Sequence, residues 1–104
     1  SLLNKLLDSI NLDTRNSYRE LMSSIKNVES SKLYLSLKDE VLKIEEERFK
    51  IGMAKTRDVL EAQRDMIYAQ AEYNKALSNY NISIASLEYS LGILIKERKI
   101  ILDN

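Results

Sequence analysis

The near absence of turn-forming residues constrains this chain more than any other feature of its sequence. Its 104 residues contain no proline and only two glycines, whereas average usage predicts roughly five prolines and seven glycines. A sheet-rich domain of this length needs more turn residues, because tight connections between strands favour glycine, proline and asparagine. We therefore expect an all-α fold.

Apolar residues recur every seven positions on both sides of Gly52. The N-terminal set, in which Thr14 is the polar member, is Leu7, Thr14, Leu21, Val28, Leu35, Leu42 and Phe49. The C-terminal set is Val59, Met66, Tyr73, Tyr80, Leu87 and Leu94. Small residues follow three positions later, at Ser17, Ser24, Ser31, Ala62, Ala69, Ala76, Ser83 and Ser90. Large and small residues alternating on a seven-residue repeat predict a coiled-coil contact, which we call the seam.

The residues around Gly52 predict where the two helices are connected. Arg48 and Lys50 suit the negative end of a helix dipole, and Gly52 can adopt the left-handed conformation that ends a helix. Asp58, followed three residues later by Glu61, has the spacing of a capping box. We therefore expect a single antiparallel hairpin over residues 1–104, with a helix at about 3–51, a tip at 52–57, a helix at about 58–95 and a short C-terminal tail.

Apolar residues also lie outside the seam. A second stripe, Leu77, Ile84 and Leu91, widens the apolar face of the second helix. Two helices alone cannot cover this surface, because small two-helix structures bury little area. We expect the hairpin to be part of a larger α-helical assembly.

The composition excludes much catalytic and binding chemistry. The chain has no cysteine and no histidine, which excludes thiol nucleophiles, disulfides, zinc clusters and imidazole bases. Sixteen basic residues balance sixteen acidic ones, so there is no basic surface that favours nucleic acid. The most apolar stretch, 76–95, is too polar to span a membrane. We expect no enzyme activity, no cofactor and no metal site.

Two groups of carboxylates lie near Gly52. Asp58, Glu61 and Asp65 share one helix face. They could bind a cation, take part in acid–base catalysis or cap the helix, and of these we favour capping. The run Glu45-Glu46-Glu47 is interpreted as a solvated face on which Glu46 pairs with Lys50.

A longer motif surrounds Gly52 and reads Phe49-Lys-Ile-Gly52-Met-Ala-Lys-Thr-Arg-Asp58-Val-Leu-Glu-Ala62-Gln63. About 30 residues later it is followed by Ser90-Leu-Gly92-Ile-Leu. It resembles the outer membrane efflux protein (TolC-like) family. Members of that family are trimeric exit ducts in which each protomer supplies two helical hairpins to a twelve-helix barrel across the periplasm. The resemblance implies that this chain is a piece of a longer protein, the second hairpin of an outer-membrane duct for efflux or type I secretion.

The resemblance also implies partners and functional residues. A tip formed by Ile51, Gly52, Met53, Ala54, Lys55 and Thr56 would dock a periplasmic adaptor protein, and an inner-membrane pump would be engaged indirectly. Asp58 and Glu61 would form an acidic ring at the inner mouth of the homotrimer, where carboxylates favour cations. Some members latch neighbouring helices through polar side chains where this chain has Phe49 and Ala54, neither of which can donate a side-chain hydrogen bond.

The alternative function is a structural coiled-coil oligomerisation module without a transport role. The two hypotheses share the seam and differ in their use of the tip, because a generic hairpin needs Gly52 and a cap but not the whole string around them.

Overall fold

A computed structural model describes residues 1–103 as two α-helices joined by a short turn. Helix α1 spans Leu2–Lys50 and helix α2 spans Thr56–Asp103, with no strand among the described residues. Residues 51–55 form the turn between the helices. The predicted fold class, an all-α antiparallel helical hairpin, is confirmed.

The hairpin consists of two compact units, each built from a segment of α1 packed against a segment of α2. The turn unit is Lys26–Leu77 and includes the connection between the helices. The terminal unit joins Ser1–Ile25 to the part of α2 that begins at Ser78.

The interior of the turn unit is formed by small side chains. Ala62, Ala69 and Ala76 are its buried residues, and Ala69 is 0% exposed. The large side chains of the same unit at the predicted seam are half-buried, among them Leu35, Leu42, Met66 and Tyr73. Because alanine allows two helix backbones to approach closely, large side chains pack beside the alanines rather than between the helices.

The terminal unit uses serine where the turn unit uses alanine. Ser17 is buried, and its hydroxyl lies 3.4 Å from the hydroxyls of both Ser86 and Ser90 on α2. Ser24 is also buried and donates a 2.8 Å hydrogen bond to the carbonyl of Leu21. These hydroxyls are therefore buried without losing their hydrogen bonds.

The predicted seam residues are half-buried with one exception. Those in the turn unit are Val28, Leu35, Leu42, Val59, Met66 and Tyr73, and those in the terminal unit are Leu7, Thr14, Leu21, Tyr80, Leu87 and Leu94. Phe49 is the exception, because it is 47% exposed. The packed face of α1 ends at Glu45, and residues 46–50 are all exposed, so Phe49 lies one turn beyond the contact with α2.

Helix α2 is longer at both ends than the sequence predicts. It begins at Thr56 rather than 58, and it continues to Asp103 rather than ending near residue 95. Gly92 does not stop the helix. Glycine destabilises a helix interior by about 1 kcal/mol relative to alanine, and the good helix formers that follow it offset this cost. Ile93, Leu94 and Ile101 are half-buried, so packing extends through the residues predicted as a tail.

Within the described residues, neither helix contains a stretch that is both long and apolar enough to cross a membrane.

Candidate functional site at the turn

Helix α1 ends in a glycine turn whose conformation is fixed by two backbone hydrogen bonds. Gly52 has a φ of +80°, and its N–H donates to the carbonyl of Phe49 at 3.1 Å. The N–H of Met53 donates to the carbonyl of Arg48 at 2.7 Å. This pair of bonds defines a Schellman motif, with glycine at the position that requires a left-handed backbone. The glycine stop predicted from the sequence is therefore found at Gly52. Helix α1 ends at Lys50, one residue before the predicted end at about 51.

The side chain of Arg48 reinforces the turn. Its Nη1 donates to Oε1 of Glu45 at 2.8 Å, and its Nη2 donates to the carbonyl oxygen of Met53 at 3.2 Å. Lys50, the other basic residue of this last helical turn, bonds Oε1 of Glu47 at 3.1 Å. The sequence predicts Glu46 as the partner of Lys50, but Lys50 is paired with Glu47, three positions before it.

Helix α2 begins with a cap supplied by Asp58. The carboxylate oxygen Oδ2 of Asp58 accepts a 2.9 Å hydrogen bond from the N–H of Lys55, whose carbonyl accepts one from the N–H of Asp58 at 3.0 Å. Asp58 is therefore the third residue of α2 and caps backwards, rather than preceding the helix as the sequence predicted. This geometry favours the capping interpretation of Asp58, whereas Glu61 lies exposed further along the helix.

The residues predicted to form the tip lie together at the turn, and two of them expose large apolar side chains. Ile51 is 69% exposed and Met53 is 67% exposed. Lys55 and Thr56 are also exposed, while Ala54 is half-buried. The backbone here is held by hydrogen bonds while the apolar side chains face solvent, which is an arrangement typical of docking surfaces.

Beside the turn, a shallow concavity brings residues of α1 and α2 together. Its lining residues are Val41, Glu45, Arg48, Asp58, Glu61, Ala62 and Asp65. Four of these are carboxylates, and Arg48 is the one cation among these described residues. The predicted acidic residues Asp58 and Glu61 therefore lie close to a third and a fourth acid, Asp65 and Glu45.

Sequence reasoning missed Glu45 as part of this group. The acid run was interpreted as solvated, but the side chain of Glu45 is only 17% exposed, and its Oε2 is buried without a hydrogen-bond partner among the described residues. The signal that could have found it is its position three residues after Leu42, which places it on the seam.

No group of three or more histidine, cysteine, aspartate or glutamate residues in the described part of the chain is arranged to hold a metal ion.

Much apolar surface remains in contact with solvent. In the turn unit, α1 presents an outer stripe at intervals of three and four residues, formed by Tyr34, Leu37, Val41 and Ile44, all of them exposed. In the terminal unit, α2 exposes Ile82, Tyr89 and Ile95. Of the predicted second stripe, Leu77 and Ile84 are half-buried and Leu91 is exposed.

Comparisons of this chain with protein-family models, curated proteins and solved structures find no match. The functional interpretation therefore depends on the turn, the carboxylates beside it and the exposed apolar surface.

Proposed function

We propose that this chain is the periplasmic helical hairpin of a TolC-like outer-membrane duct for efflux or type I secretion, and that its turn docks a periplasmic adaptor protein. The observation that carries the proposal is the turn itself. Two backbone hydrogen bonds and a positive-φ glycine fix its conformation, while Ile51 and Met53 expose apolar side chains at its end. A fixed backbone that presents apolar side chains binds a partner with little loss of conformational entropy.

The exposed apolar surface supports assembly with further helices. In the proposed duct, neighbouring hairpins of a homotrimer cover this surface, and contact with the membrane is made only by parts of the protein outside this chain. The duct is a non-enzymatic transport component in the outer membrane, with this hairpin in the periplasm.

The acidic residues have two compatible roles in the proposal. Asp58 uses Oδ2 to cap α2, and Glu61 lies exposed one turn further along the same helix. Three copies of the pair would place carboxylates around the inner mouth, where they favour cations over anions by Coulomb attraction.

The proposal is tested on the natural protein that contains this chain. Replacing both Ile51 and Met53 by serine removes the apolar part of the turn and leaves its backbone hydrogen bonds in place. We expect weaker binding of the adaptor in a purified binding assay and greater retention of an exported dye in cells. Leu33→Ser, which alters an exposed apolar residue of α1 away from the turn, is the matched control. Adaptor binding that is equal in the double variant and the control would contradict docking at the turn.

A coiled-coil oligomerisation module without transport function is the second candidate, favoured by the apolar stripe on α1. Membrane fractionation separates the two functions. The duct is expected in the outer membrane and forms conducting channels in planar bilayers, whereas an oligomerisation module is recovered without channel activity.

A further inference from the structure

One side chain joins the seam to the turn. The guanidinium of Arg48 contacts the Glu45 carboxylate through Nη1 and the main-chain carbonyl of Met53 through Nη2. Arg48 is also the residue whose own carbonyl accepts the N–H of Met53 at 2.7 Å. Met53 is therefore bonded to Arg48 through both its N–H and its carbonyl oxygen.

The surroundings of Arg48 give its charge a second consequence. Glu45 lies on the seam, and its Oε2 is buried with no hydrogen-bond partner in the part of the chain that the structure describes. The same concavity contains the carboxylates of Asp58, Glu61 and Asp65 on α2. Without the guanidinium, these four carboxylates line one concavity with no cation among the described residues that line it. Repulsion between like charges would then act directly on the residues that flank the turn.

We propose that Arg48 is the positioning residue of the turn, holding the seam carboxylate of Glu45 and the Met53 carbonyl with a single guanidinium. The planar guanidinium of arginine carries its N–H groups on different nitrogens, so that two of these nitrogens can reach two separate acceptors. Lysine carries all its N–H donors on one nitrogen and cannot reproduce this geometry. The effect is to hold Ile51 and Met53 in one orientation. Its relevance to adaptor docking rests on the proposed function, while its effect on the turn does not.

Lys50 is a control provided by the structure itself. It belongs to the same last turn of α1, carries the same charge and pairs with a glutamate three residues before it, as Arg48 does. Its ammonium is bonded to Glu47, on the exposed face of the helix. Removing Lys50 therefore removes an ion pair of the same spacing, one whose two side chains are both exposed, without touching the bond to Met53.

The experiment compares Arg48→Ala, Arg48→Lys and Lys50→Ala in the 104-residue chain, using amide hydrogen exchange measured by NMR. We expect Arg48→Ala to accelerate exchange at Gly52 and Met53 about three- to tenfold, the range expected when a partly exposed charged hydrogen bond is lost. Lys50→Ala should change those rates less than about twofold. Arg48→Lys should give intermediate rates, because it can retain the pairing with Glu45. Amides around Ala69 report whether the rest of the hairpin is unchanged.

Adding Glu45→Gln separates the two parts of the contact. In the Arg48→Ala background, Glu45→Gln should recover part of the lost protection, since it removes the unbalanced charge but cannot restore the bond to Met53. Equal exchange rates at Gly52 and Met53 in Arg48→Ala and Lys50→Ala would overturn the proposal. So would exchange rates in Arg48→Lys that equal those of the original chain. Because the measurement uses the isolated chain, a failure of adaptor docking would leave this result unaffected.

Discussion

The two glycines of this chain have opposite roles, and each role can be assigned from the backbone. Gly52 has a φ of +80°, a conformation that a side chain makes unfavourable, although a Cβ there would meet no atom within 4 Å. Gly92 lies inside α2, where a Cβ would likewise meet nothing within 4 Å. Steric contacts therefore do not distinguish the two positions, and only backbone conformation does.

The same substitution should consequently have opposite effects at the two glycines. We expect Gly52→Ala to lower the free energy of unfolding by about 1 kcal/mol, because alanine disfavours positive φ. Gly92→Ala should raise it by about 0.5–1 kcal/mol, because alanine is the better helix former. Urea unfolding followed by circular dichroism measures both values. Destabilisation by both substitutions would contradict this assignment of Gly92.

Asp58 and Glu61 are neighbouring carboxylates whose contributions to stability should differ. We expect Asp58→Ala to cost about 0.5–2 kcal/mol, because it removes the acceptor for the N–H of Lys55 at the start of α2. Glu61→Ala should change the free energy of unfolding by less than about 0.5 kcal/mol, because its side chain is exposed. Thermal unfolding of both variants provides the comparison. Similar costs for the two variants would show that Asp58 has no special capping role.

At the scale of the helices, the alanine column of the turn unit determines how closely α1 and α2 pack. Ala69 is completely buried, whereas Ala71, two residues along the same helix, is exposed. We expect Ala69→Leu to lower the free energy of unfolding by about 1–3 kcal/mol, because the added atoms force the helices apart. Ala71→Leu should stay within about 0.5 kcal/mol of the original chain. Chemical denaturation distinguishes the pair, and tolerance of leucine at both positions would contradict close packing at this level.

The helix ends illustrate which element boundaries the sequence specifies strongly. The end of α1 was predicted closely, since a glycine after two basic residues is a local signal that requires no tertiary context. Helix α2 continues past its predicted end near residue 95 to the last described residue, Asp103, because no local stop signal follows Gly92 and because packing at Ile101 favours continued helix. The predicted start of α2 was also wrong. An aspartate can cap a helix from the position before it, as the sequence predicted for Asp58, or from its third residue by bonding back to the N–H of Lys55, as the structure shows.

At the scale of the whole molecule, the exposed apolar surface predicts self-association. The outer stripe on α1 includes Leu37, and the preceding residue, Ser36, is also exposed. We expect the average mass in sedimentation experiments to rise with protein concentration, because large exposed apolar patches associate in water. Leu37→Glu should weaken this association more than Ser36→Glu, although both add one negative charge. Equal effects of the two substitutions would mean that the stripe is not the associating surface.

The sequence by itself determined the all-α fold, the position of the turn and the repeat that forms the seam. These features follow from local backbone preferences and from a periodicity that is complete within each helix. Only the tertiary structure decided that Phe49 lies beyond the packed face and that Arg48 bonds both Glu45 and Met53. The first outcome depends on where α1 and α2 stop packing against each other, and the second on the side-chain conformation at the turn. Spacing along one helix contains neither kind of information.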